Sequence, residues 1–80
     1  MIHNHHRMIS AKEIPLEFGI SYQTLNSYTD VGLLDVIGKK NRIRFYNYTE
    51  VKKRLTKIMR LVNEGYTLRL ICRMLKGGNH

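Results

Sequence analysis

Two amide side chains, Gln23 and Asn26, stand three residues apart and could hydrogen-bond to the edges of nucleobases. Gln and Asn can each pair with adenine through two hydrogen bonds, and one good pair discriminates against the wrong base by about 1–3 kcal/mol. The hydroxyls of Ser21 and Thr24 lie beside them, and hydroxyls near free helix N–H groups suit phosphate oxygens. Tyr22 either reaches a base edge or packs against a neighbouring element. If this segment is a helix, these residue types predict contact with the major groove of DNA.

The distribution of charge along the chain also indicates a polyanionic partner. The 80 residues have a formal net charge of +8 and an isoelectric point near 10.0. Residues 1–38 contain two basic and four acidic residues, whereas residues 39–80 contain twelve basic and two acidic ones. Clustered basic residues and an isoelectric point above about 9 are typical of nucleic-acid binding. A solvated basic face and a membrane surface are the alternatives that charge alone leaves open.

Composition argues against several other classes of protein. A chain of 80 residues makes one small domain. It contains no apolar run of about 18 residues and no secretory leader, so we expect a cytoplasmic, nucleoid-associated protein with no membrane contact. The single cysteine, Cys72, cannot form an internal disulfide and is expected to be a small buried apolar residue.

Catalytic and metal chemistry have little support in the sequence. The predicted helices and strands carry no Ser-His-Asp or Cys-His grouping and no glycine-rich phosphate loop, so we expect no enzyme, no catalytic residue and no cofactor. His3, His5 and His6 lie in residues 1–8, which are predicted to be a disordered N-terminal segment. They lack the rigid, mixed ligand set of a structural zinc site, so no metal is expected. Residues 77–80 are predicted to be a disordered tail.

The first part of the chain predicts a helix-turn-helix. Ser10 and Glu13 have the spacing of a capping box at the start of a helix over residues 10–18, although Pro15 favours a slightly later start. Gly19 is suited to end that helix, and Ser21 to cap a second helix over residues 22–30. Two short helices joined by a tight glycine-containing turn form this motif.

The second part of the chain predicts a basic hairpin and two more helices. Two short extended segments flank the polar residues 38–42, which indicates a β-hairpin, or wing, whose tip carries cations. Asn47 and Glu50 form another capping box, which starts a third helix. Its predicted apolar stripe comprises Val51, Leu55, Ile58, Met59 and Val62. Thr67 is expected to cap the fourth helix, and Met59 and Met74 to fill the core.

In the order of its elements and in three motifs, the chain resembles the DNA-binding domain of the MerR family of bacterial transcription regulators. The motifs are Gly19-Ile20-Ser21-x-x-Thr24-Leu25-x-x-Tyr28-x-x-x-Gly32-Leu33-Leu34, Arg44-Phe45-Tyr46, and Gly65-Tyr66-Thr67-Leu68-x-x-Ile71. The resemblance covers residues 9–76. It implies a mainly α fold with a small β-hairpin, namely a winged helix-turn-helix of four helices and a two-stranded wing. It also implies that the second helix occupies the major groove and that the wing follows the backbone or the minor groove.

The chain departs from the usual family pattern at several positions. It has Asn26 in place of an arginine, Ser27 in place of an aromatic residue, Thr29 in place of an acid, and Arg42-Ile43 where the wing usually has Gly-Tyr. It also ends at His80, where typical members continue into a dimerising helix and an effector site. We therefore expect either a short member with no small-molecule effector or a shortened piece of a longer member. The protein is expected to pair with itself, either through cooperative contacts between neighbours on DNA or through the dimerising helix of the longer form.

The predicted partner is double-stranded DNA, and the predicted function is sequence-specific transcription regulation. The alternatives are an excisionase-like or architectural DNA-binding protein, a protein-interaction module that kept the fold and lost DNA binding, and an RNA-binding protein. The spacing of Tyr28 from Leu25 fits a place in the core, while its hydroxyl could still reach a phosphate, and Tyr46 has the same two alternatives. The resemblance favours the phosphate contact for Tyr28. The predicted DNA contacts are Ser21, Tyr22, Gln23, Thr24, Asn26, Tyr28, Lys39, Lys40, Arg42, Arg44, Tyr46, Lys52 and Lys53.

Overall fold

The computed structural model describes residues 7–77 and confirms a mainly helical winged helix-turn-helix. The helices are α1 (Glu13–Phe18), α2 (Tyr22–Asp30), α3 (Tyr48–Asn63) and α4 (Leu68–Cys72), and a π-helical segment, Arg73–Gly77, continues α4. The strands are β1 (Met8–Ser10), β2 (Val36–Lys40) and β3 (Ile43–Asn47). The predicted histidine cluster lies outside the described residues.

The sheet has three strands, so the prediction of a two-stranded wing was incomplete. The strand order is β1-β3-β2, and both pairings are antiparallel. Strand β1 pairs with β3 so that Ile9 lies opposite Tyr46, and Ile9 is buried. A strand of three residues is too short to show an alternating pattern, which is why sequence periodicity missed it. The strand begins at Met8, within the segment predicted to be disordered, and the carbonyl of Arg7 accepts a hydrogen bond from the Tyr48 N–H.

The predicted capping box at the start of α1 is present. The Ser10 N–H donates to Glu13 Oε1 at 3.0 Å, and the Glu13 N–H donates to Ser10 Oγ at 3.2 Å. The helix itself begins at Glu13, three residues after Ser10, and a later start is what Pro15 favours. This start places Pro15 in the first turn, where a missing N–H leaves no intrahelical bond unmade. Gly19, with φ of 68°, then ends the helix in the left-handed conformation.

The second helix has the predicted bounds. Ser21 Oγ accepts a hydrogen bond from the Thr24 N–H at 2.9 Å, and Leu25 is fully buried on the inner face. At the other end of α2, the Lys76 ammonium group donates to the carbonyl of Val31 at 3.2 Å. A cation at this position suits the negative end of the helix dipole. The last described turn of the chain is therefore attached to the end of α2.

The apolar stripe of α3 differs from the predicted one. Asn47 Oδ1 accepts from the Glu50 N–H at 2.9 Å, as the capping box requires. Leu61, which the prediction omitted, is buried with Val51, Leu55 and Ile58. By contrast, Met59 and Val62 are each 46 % exposed, because each lies about 100° around the helix from the buried Ile58 or Leu61. Met74, also predicted to fill the core, is exposed as well.

The fourth helix begins at its predicted cap. Thr67 Oγ1 accepts from the Leu70 N–H at 3.2 Å, Ile71 is fully buried, and Cys72 packs partly buried against the core.

Among the described residues, no helix is long and apolar enough to cross a membrane.

Tyr48 connects the sheet, α1 and α3 at one edge of the domain. Its hydroxyl donates to Glu17, and the guanidinium carbon of Arg7 lies 4.0 Å from the centre of its ring. The hydrogen bond to Glu17 raises the pKa of Tyr48 above its ordinary value of 10.0, and burial and the Glu17 charge act in the same direction. Since folding favours the protonated phenol, this contribution to stability is complete below pH 10 and is lost as the pH rises through the folded-state pKa.

Candidate nucleic-acid interface

The first turns of α2 present polar side chains to solvent. Tyr22 is 52 % exposed, Gln23 is exposed, and Asn26 is half-buried. Ser21 and Thr24 are joined by a hydroxyl–hydroxyl bond of 2.9 Å at the start of the helix, where the backbone N–H groups are directed outward. Of the residues predicted to contact DNA from α2, these five lie together at the N-terminal half of the helix.

Arg44 on β3 is bonded to α2 and does not project freely from the wing. Its Nη2 group donates to Asn26 Oδ1 at 2.6 Å and to the Tyr22 hydroxyl at 3.3 Å. Its guanidinium carbon also lies 5.8 Å from the centres of the Tyr22 and Tyr46 rings, within the range of a cation–π interaction. The prediction treated Arg44 as a wing cation and missed these contacts, because partners 18 and 22 residues apart leave no periodic signal. Arg44 joins the wing to the helix and fixes their relative position.

Tyr46, a predicted phosphate contact, is a core residue. It is completely buried, so its ring has no surface that could meet a ligand. Its hydroxyl lies 2.8 Å from Thr29 Oγ1, and Thr29 already donates its single hydroxyl proton to the Leu25 carbonyl at 2.8 Å. Tyr46 must therefore donate to Thr29. We do not include Tyr46 in the proposed interface. Tyr28 is half-buried and packs against the same core.

The tip of the wing is a two-residue turn at Asn41 and Arg42. Both have positive φ, 53° and 68°, which is the signature of the type I′ turn that joins tightly paired strands. The turn is shorter than the predicted one, since β2 extends to Lys40 and β3 starts at Ile43. Lys39, Lys40 and Arg42 are all exposed at this tip. The structure thus places three cations at the end of a narrow hairpin.

Arg42 occupies a backbone conformation that favours glycine. A side chain in the left-handed region costs about 1–2 kcal/mol, of which the greater chain entropy of glycine offsets about 0.5–1 kcal/mol. We expect Arg42→Gly to raise the free energy of unfolding by about 0.5–1 kcal/mol, measured by urea denaturation. Lys39→Gly is the matched control, because Lys39 lies in a strand and has no positive φ, and it should destabilise the domain. A loss of stability with Arg42→Gly would show that the turn is not strained.

Two of the cations predicted to contact DNA lie near the start of α3. The helix begins at Tyr48, so Lys52 and Lys53 fall in its second turn, and both are exposed. The neighbouring Arg54 is engaged within the protein, where it donates to the Leu33 carbonyl at 3.1 Å. Within residues 7–77, no group of three or more His, Cys, Asp or Glu side chains could hold a metal ion.

Comparison with known proteins gives one match. The model of the MerR HTH family of regulatory proteins matches residues 9–78, which is most of the chain. No curated protein and no solved structure matches significantly.

Proposed function

We propose that this chain, which belongs to the MerR family of helix-turn-helix regulatory proteins, recognises a specific double-stranded DNA sequence through α2 and the wing. Membership of that family makes it a DNA-binding transcription regulator. In this proposal α2 enters the major groove. The tip of the wing lies along the backbone or in the minor groove. The proposal contains no catalytic step.

The observation that carries the proposal is the joint position of α2 and the wing. Gln23 and Tyr22 are exposed on α2, and Arg44 ties that helix to the hairpin whose tip bears Lys39 and Lys40. A helix with uncharged polar side chains suits base edges, whereas clustered cations suit phosphates. Base contacts would then come mainly from α2 and phosphate contacts from the tip of the wing, and Arg44 joins the two elements.

In this proposal, cations outside α2 make most of the contacts with the phosphates of the DNA backbone. Ser21 and Thr24, at the start of α2, are also suited to contact phosphate. Lys52 and Lys53 would extend the contacts beyond the wing. Because the proposed function requires binding to chromosomal DNA, we propose that the protein is associated with the nucleoid. Self-association on adjacent half-sites is part of the same proposal.

A comparison of two single variants tests the assignment of α2 and the wing. Gln23→Ala should relax the sequence preference, because it removes a base contact. Lys40→Ala should weaken binding to all sequences alike and reduce the slope of log affinity against log salt by about 0.9. The measurements are selection from a random pool of DNA, followed by mobility-shift titration at several salt concentrations.

The outcomes of that experiment separate the candidate functions. Equal losses on every sequence for both variants would contradict the placement of α2 in the major groove. No binding by the unmodified protein at low salt would favour a protein-interaction module that kept the fold. Enriched half-sites in inverted or direct order would distinguish a symmetric dimer from side-by-side monomers.

A further inference from the structure

The side-chain amide of Asn26 is not free, because its oxygen is hydrogen-bonded to Arg44 within the protein. Its Oδ1 atom accepts a hydrogen bond of 2.6 Å from Arg44, a charge-assisted contact of the stronger kind. A guanidinium group can only donate, so the oxygen of the amide must face Arg44 and the nitrogen must face away. The orientation of the Asn26 side chain is therefore set by the chemistry of its partner.

The same guanidinium orients the hydroxyl of Tyr22. Arg44 Nη2 donates to the Tyr22 oxygen at 3.3 Å, which leaves the phenolic hydrogen to be donated elsewhere. The Nη1 and Nε atoms of Arg44 carry the remaining N–H groups of the guanidinium. Among residues 7–77 no buried side-chain nitrogen or oxygen lacks a hydrogen-bond partner, so the donors that Tyr22, Asn26 and Arg44 have left are in contact with solvent. We call these three residues the donor cluster.

We infer that the donor cluster specifies guanine, and that Arg44 is the positioning residue that gives Asn26 this preference. This inference rests on the proposed function, because it assumes that α2 faces the major groove. There, guanine presents two acceptors, N7 and O6, whereas adenine presents the acceptor N7 beside the donor N6–H₂. An unconstrained asparagine pairs with adenine because its oxygen can accept from N6. In this protein that oxygen is turned toward a cation, and adenine N6 would meet further donors.

The position of Asn26 in the binding site can be identified first. Selection from a random DNA pool is carried out with the unmodified protein and with Asn26→Ala. The base pair at which the variant loses the sequence preference of the unmodified protein is called the marked pair. At that pair we expect the unmodified protein to favour guanine over adenine by about tenfold, the size of one good side-chain–base contact.

Arg44→Met then tests the positioning role. Methionine removes the donors and frees Oδ1, so the preference at the marked pair should move from guanine toward adenine. Lys39→Met is the matched control, since it removes one cation from the exposed wing tip and leaves the donor cluster intact. The control should lower affinity for all sequences alike without a change at the marked pair.

A measurement on the unmodified protein guards against a variant that fails to fold. Replacing the marked guanine with 7-deazaguanine removes the N7 acceptor and little else. We expect the affinity to fall about tenfold if the cluster donates to the major-groove edge.

The possible results separate this inference from the proposed function. Binding with an adenine preference at the marked pair, or no effect of 7-deazaguanine, would overturn the inference and leave DNA binding standing. A uniform loss of affinity with Arg44→Met would also overturn it, because Arg44 would then be a backbone contact. No DNA binding by the unmodified protein would overturn the proposed function and this inference together.

Discussion

Tyr46→Ala is expected to lower the free energy of unfolding by about 3–5 kcal/mol, the usual cost of truncating a fully buried aromatic ring. The ring is completely buried in the same core as Ile9, Leu25 and Val51. A domain of this size has only about 4–12 kcal/mol of stability in total. If the stability lies at the low end of this range, much of the Tyr46→Ala population should be unfolded at 37 °C. Urea denaturation followed by circular dichroism measures the change.

Two controls separate the contribution of the Tyr46 ring to stability from the contribution of its hydroxyl and from the general effect of removing a tyrosine. Tyr46→Phe keeps the ring and breaks only the bond to Thr29, which should cost about 1 kcal/mol. Tyr66→Ala removes a tyrosine that is 40 % exposed, and should cost well under half as much as Tyr46→Ala. Equal costs for Tyr46→Ala and Tyr66→Ala would show that Tyr46 does not hold the core together.

Neutralising the tip of the wing is expected to have the largest effect on DNA affinity. The variant combines Lys39→Ser, Lys40→Ser and Arg42→Gly, and the glycine keeps the left-handed turn intact. If each cation contacts one phosphate, the salt slope should fall by about 2.7, and the affinity at about 0.15 M salt should fall on the order of a hundredfold. Salt-dependent mobility-shift titrations measure both quantities.

A control with the same change in net charge distinguishes contact from long-range attraction. Arg60, Arg69 and Arg73 are exposed on α3, α4 and the segment that follows. Replacing all three with serine removes as much charge as the wing variant does, at positions outside the proposed interface. The salt slope should change little. Equal slopes for the two triple variants would contradict a specific role for the wing.

Local sequence signals predicted most of the fold. The pairs Ser21–Thr24 and Asn47–Glu50 cap α2 and α3, and the pair Ser10–Glu13 makes the reciprocal bonds of a capping box in the turn that leads into α1. Such caps connect residues three apart, so the spacing in the chain is nearly the spacing in space. The bounds of α2 and the presence of the hairpin followed from the same kind of signal.

The candidate site was less predictable because several of its contacts join distant parts of the chain. Tyr46 follows Arg44 on β3 and was predicted to reach phosphate, yet the addition of β1 and the packing of α2 enclose it. Leu61 replaced Met59 and Val62 in the core because the position of α4 decides which side of α3 is covered near its end. A helical period alone allows either set.

The sequence by itself determined the family, the order of the elements and the segregation of basic residues into residues 39–80. These properties depend on residue types and on contacts between near neighbours. Only the tertiary structure decided that Arg44 holds the Asn26 oxygen and that Tyr46 is closed off. The physical reason is that a hydrogen bond between β3 and α2 depends on how the strand and the helix are packed, and no spacing along the chain specifies that packing.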